Sequence, residues 1–162
     1  MDMMHEFGAM AFASRLRRLG DRLKAEATKL YRANGIEFND SWYLIALVLS
    51  KRDGISVSEA AEGFGISHAA ISQMAAAMER KGLLIGRPDE RDRRRTLLYL
   101  TDEGRSAIKA LRPIWDAVGE CTDELIASTG RDLFLAISEI EGQLEQQNLF
   151  SRVTEHLKKA NG

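Results

Sequence analysis

Between Ser56 and Gly82 two short helical stretches are separated by so little chain that only a tight turn can join them. Ser56 is placed to cap a helix running to about Phe64, and Gly65 allows the turn that Ile66 follows. Ser67 then caps a helix from His68 to Arg80, which Lys81-Gly82 ends with a basic last turn and a C-terminal glycine. Beyond Gly82 the apolar period changes from about 3.6 to 2. Leu83 to Gly86 is short and apolar, Pro88 to Arg95 is charged, and Thr96 to Leu100 is β-branched and apolar, which predicts a two-stranded hairpin with a charged tip. Such a hairpin is marginal alone and must pack on the preceding helices. Helix, turn, helix, hairpin is a winged helix-turn-helix.

The flanks are helical, so the fold class is mainly α. Phe7, Met10, Leu16, Leu19, Leu23 and Leu30 predict a leading helix from Glu6 to Ala33, with Asn34-Gly35 as its stop. Asn39 or Asp40 caps a buried helix, Ser41 to Lys51. Thr101 opens a long helix with the seam Ile108, Leu111, Trp115, Val118, Thr122, Leu125, which Pro113 is expected to kink or split near Arg112. A last helix is expected over Asp132 to Lys159. The reading is one domain over 1–162, with a winged-helix lobe at 40–101 and long N- and C-terminal dimerisation helices at 6–34 and 102–160. A second copy of the chain is the economical cover for those apolar stripes, and a monomeric bundle is the alternative.

Several classes are disfavoured. The apolar stretch Leu44 to Leu49 is far below the roughly 18–20 residues of a membrane span. The start lacks the basic flank and apolar core of a secretory signal, so a cytoplasmic location is expected. Cys121, with His5, His68 and His156 scattered, gives neither a disulfide nor metal-ligand spacing. Among Glu120, Asp123 and Glu124, Cys121 is expected to be an inert thiol, an oxidation sensor being the alternative. No phosphate loop or nucleophile–base set is present, so neither an enzyme nor a cofactor is expected.

The net charge of -1 hides segregation. Residues 67–95 hold seven Lys/Arg against four Asp/Glu, and residues 96–162 hold seven against eleven. Screening makes a polyanion respond to the local patch. The hairpin tip carries Arg87, Arg91, Arg93, Arg94 and Arg95 within nine residues. A narrow minor groove of double-stranded DNA attracts inserted Arg, and flanking phosphates add to the attraction; a solvated loop is the alternative. Asp92 is placed to pair with a neighbouring Arg and hold the tip rigid. On the second helix Ile71, Met74, Ala75 and Met78 form the inward stripe, leaving Ser67, His68, Ala69, Ser72, Gln73 and Ala76 outward for base edges and phosphate. The alanine-rich sequence offers few base readers, which keeps a protein-binding adaptor as the alternative to sequence-specific DNA recognition.

Ser56 to Gly104 resembles the winged-helix core of the MarR family of bacterial transcription regulators. The matching motifs are Gly65-Ile66-Ser67, Met78-Glu79-Arg80-Lys81-Gly82-Leu83, Asp92-Arg93-Arg94 and Leu100-Thr101-Asp102-Glu103-Gly104. The resemblance implies a homodimer reading a pseudo-palindrome, more often a repressor than an activator, with Arg94 in the minor groove and Asp92 orienting the wing. Where the family often has Arg this chain has Gly86, followed by Arg87, which leaves the partner of Asp92 open. Asp40 to Leu49 and Leu111 to Val118 also look similar to the regulator half of proteins fused to an acetyltransferase, and no acetyltransferase is expected here. The family further implies a cleft for a small phenolic or lipophilic effector. Trp42, Tyr43 and Trp115 are its candidate walls, with Phe12 and Tyr31 behind; plain core packing is the alternative for these aromatics.

Overall fold

The computed structural model describes residues 3–160. The chain divides after Asp116 into two compact units. In the first, a short helix α1 (Met3–Glu6) and a 3-10 turn (Gly8–Ala11) precede helix α2 (Phe12–Ala33). The regular helix therefore starts later than Glu6, because Gly8 takes a left-handed φ of +51° that interrupts it. Asn39, not Asp40, is the next cap: its side-chain oxygen accepts from the Ser41 N–H at 2.9 Å. A 3-10 turn (Asp40–Trp42) leads into α3 (Tyr43–Leu49), two residues shorter at its end than expected.

Strand β1 (Ile55–Ser56), helices α4 (Val57–Phe64) and α5 (His68–Arg80), and strands β2 (Leu84–Pro88) and β3 (Thr96–Leu100) complete the winged helix. The sheet is antiparallel in the order β1-β3-β2, with Ile55 opposite Leu98 and Leu84 opposite Leu100. Strand β1 escaped the sequence pattern because two residues cannot display alternation. Its second residue, Ser56, is also the N-cap of α4, bonded reciprocally with Glu59 in a capping box. Gly65 provides the turn with φ +62°.

Helix α6 (Asp102–Ala127) is not split at Pro113. The ring sits at an exposed position, and the carbonyl it deprives of a donor belongs to exposed Lys109, in a part of the helix open to solvent. Ile108, Leu111 and Trp115 do not form a free seam; they enter the core of the first unit. There they join Tyr31 of α2, Ile45 of α3, and Ile71 and Met78 of α5.

The second unit contains the end of α6, α7 (Leu133–Gln146) and α8 (Leu149–Ala160). The single helix expected over 132–159 is thus two. Gln147 is extended at φ -148°, and the Asn148 side chain accepts from Ser151 N–H to start α8. The apolar stripe recorded the break as a five-residue step from Leu144 to Leu149, out of phase with one helix.

Candidate nucleic-acid interface

Helix α5 presents most of the face the sequence predicts, Met74 and Ala76 both being half-buried. The Ser67 hydroxyl accepts from the Ala70 N–H at 3.2 Å, fixing the helix start. Ile71, Ala75 and Met78 are buried, whereas Ser67, His68, Ala69 and Gln73 are exposed and Ser72 is half-buried. The buried side anchors the helix, leaving amide and hydroxyl groups toward solvent. At its far end Lys81 pairs with Glu37 at 3.0 Å.

The wing is closed by backbone bonds from Asp89 N–H to the Arg95 carbonyl at 2.9 Å and from Arg95 N–H to the Asp92 carbonyl at 2.8 Å. Its acids have a structural task. Asp89 accepts from Arg91 N–H at 2.9 Å and Asp92 from Arg94 N–H at 3.1 Å, so each carboxylate folds the tip by capping backbone two residues on. Asp92 also accepts from Arg94 Nε at 3.3 Å, which answers the question of its Arg partner. Even so, the Arg94 side chain is 93% exposed. A Cβ at Gly86 would meet Thr96 Cγ2 at 3.0 Å and Glu79 Oε1 at 3.1 Å, tight contacts to which these two exposed side chains would have to yield.

The five arginines are not equivalent. Arg87 lies over the Tyr99 ring, 5.7 Å from its centroid. Arg95 turns back to the helical lobe, its Nη2 donating to Ser56 Oγ at 3.1 Å and pairing with Glu59 Oε2 at 3.2 Å. Arg91 and Arg93 are exposed, beside Arg94 at the tip. Two arginines therefore brace the hairpin and three are presented. Sequence reasoning grouped all five as DNA contacts; the Ser56-x-x-Glu59 capping box was the legible signal for the anchor it missed.

The anchor leaves a pH signature. Hydrogen bonds from the Ser56 backbone and side chain, then the nearby Arg95 charge, pull the Glu59 carboxyl down to about 2. A depressed carboxyl stabilises the fold fully above its unfolded value of roughly 4.3, and that stability is lost as pH falls toward 2. Because the Glu59 side chain is 47% exposed, screening reduces the contribution to about 1 kcal/mol. Glu59→Gln is expected to flatten this part of the acid limb in thermal melts between roughly pH 5 and pH 2. An unchanged acid limb would contradict the anchor.

The aromatic residues proposed for an effector cleft fall into two places. Tyr31, Trp42 and Trp115 are buried around Phe38, whose ring lies 5.6, 5.7 and 6.0 Å from theirs in edge-on contacts. Half-buried Tyr43 packs on Trp115 at 5.0 Å. Trp115 Nε1 donates to the Tyr31 hydroxyl at 3.1 Å, and burial raises the Tyr31 pKa. Phe12 lies outside this cluster, on the exposed start of α2. Phe38, at the centre of the aromatic group, was not singled out because it stands alone between Glu37 and Asn39 in a connection without periodicity.

A capped second helix across a glycine turn, with a three-stranded sheet ending in an arginine-tipped hairpin, defines a winged helix-turn-helix. Residues 35–95 match the MarR family model. The transcriptional regulator HosA of Escherichia coli is 28% identical over 95 residues, 59% of this chain and 70% of HosA. The transcriptional repressor CouR, solved bound to a 23-mer DNA duplex, superposes with a TM-score of 0.64 at 22% identity, covering 83% of this chain and 96% of that one. BpsR of Bordetella bronchiseptica, solved to explain how 6-hydroxynicotinic acid regulates its DNA binding, gives a TM-score of 0.61 at 17% identity over 84% and 92%. The fold is the one that the solved structures of CouR and BpsR share. Among the described residues no helix is long and apolar enough to cross a membrane.

Proposed function

We propose that this protein is a homodimeric transcriptional repressor that binds a pseudo-palindromic operator. Each α5 would enter a major groove through Ser67, His68, Ala69, Ser72 and Gln73. Each wing would set Arg94 in the adjoining minor groove, with Arg91 and Arg93 near phosphates and Arg87 and Arg95 holding the wing in place. The observation that carries this is a hairpin clamped at Arg95, where its tip begins, yet presenting three arginines, together with an exposed helix face. The repressor role is supported by the likeness to CouR.

Dimerisation is supported within each unit by apolar residues left in solvent. On α2 Leu16, Leu19, Leu23 and Leu30 are 42–53% exposed, and on α7 Ile137, Ile140 and Leu144 are comparably open. Stripes of this extent mark association surfaces. Release by a small aromatic or lipophilic effector is supported by the aromatic group around Phe38 and by the likeness to BpsR. The test is selection of duplexes from a random pool by the purified full chain. A two-fold symmetric motif is expected, together with a solution mass about twice 18.1 kDa. A mass of one chain overturns the dimer, and failure to retain any duplex overturns the regulator.

A further inference from the structure

A second concave site lies within the first unit, away from the aromatic group and the wing tip. It has a volume of about 600 Å³, between the end of α3, the connection 50–54, the end of β3 and the first three turns of α6. Leu49, Leu100 and Ile108 give it an apolar floor. Five cations line it, Lys51, Arg52, Arg105, Lys109 and Arg112, against one acid, Asp53. Arg105 is engaged, donating to the Leu100 carbonyl at 2.8 Å and to Asp102 at 2.6 Å. Among the described residues, the ion pairs include none of the other four. One wall is held in place by close packing. Gly54 has φ +78°, and a Cβ on it would meet the Tyr99 ring at 3.0 Å.

Four cations without partners around one concavity repel each other, and bringing an anion among them relieves that repulsion. The volume is that of small-molecule sites, roughly 300–1,000 Å³, and larger than an inorganic anion needs. The apolar floor suits an organic body. We propose that this cavity binds a small organic anion carrying two or more negative charges, a phosphomonoester or a polycarboxylate, with its carbon skeleton on Leu49, Leu100 and Ile108. Guanidinium and ammonium groups make charge-assisted bonds to either head group. The site stands whether or not the chain binds DNA.

The experiment is calorimetric titration of the full-length protein with phenyl phosphate and with citrate, phenol being the uncharged control. Binding of either anion, but not phenol, is expected. Loss of one charge-assisted contact should weaken it about tenfold in Lys109→Ala and again in Arg112→Ala, both at solvent-accessible helix positions that tolerate alanine. Binding of one anion alone supports the site and names its head group. Failure of both anions to bind, affinity unchanged in both variants, or binding lost in Arg94→Ala instead, overturns it.

Discussion

Arg94→Ala is expected to weaken binding to a selected operator by at least about 1–3 kcal/mol, roughly fivefold to more than a hundredfold, while far-UV circular dichroism stays unchanged. The Arg94 side chain is almost wholly in solvent and, among the described residues, its ion pair is with Asp92 two residues away, so its removal costs the fold little. Inserted in a narrow minor groove, the same guanidinium meets a concentrated negative potential. Arg95→Ala is a useful contrast, because Arg95 contacts Ser56 and Glu59 and its loss should affect both stability and binding. Wild-type affinity should also fall by about 10³–10⁵ between roughly 50 and 200 mM salt if the dimer neutralises six to ten phosphates. An Arg94→Ala affinity equal to wild type removes the wing from the interface. A flat salt response moves the function toward a protein-binding adaptor.

What could be read from the sequence divides by range. Caps and turns are local, and Ser56, Gly65, Ser67 and Gly82 perform in the structure the roles their types predict. The outward face of α5 was legible for the same reason, since two residues, about half a helical turn, separate Gln73 from Ile71 and from Ala75 and set it on the opposite face. Division of labour within the wing was not. Arg94 and Arg95 are adjacent and chemically identical, and only the antiparallel pairing of β1 with β3 brings Ser56 and Glu59 within reach of one of them. The cation-lined cavity was hidden likewise, its charges coming from positions 51–52 and 105–112, which no sequence window joins. Burial of Ile108, Leu111 and Trp115 was mistaken for a free seam because a 3-4 spacing marks an apolar face without saying what covers it.

Gly104→Ala should be the most damaging small substitution in the first unit. Alanine ordinarily favours a helix by about 1 kcal/mol over glycine. Gly104 lies in the first turn of α6, buried against the turn between α5 and β2, and a Cβ there would fall on the Leu83 carbonyl oxygen, well inside van der Waals contact. That carbonyl cannot easily yield. It accepts from Thr101 N–H at 3.1 Å, while Thr101 Oγ1 donates to the Gly82 carbonyl at 2.6 Å and accepts from Gly104 N–H at 2.9 Å. Relieving the clash requires backbone to move from backbone, breaking bonds that fasten α6 to the turn between α5 and β2. The expected loss is about 3 kcal/mol or more, a fall in Tm of roughly 6–12 °C for a chain of this size. Gly63→Ala supplies the opposite sign: that helical glycine has open space around its Cβ position and should gain up to about 1 kcal/mol. Equal melting temperatures for the two variants would mean that the close approach of α6 to Leu83 does not exist in solution.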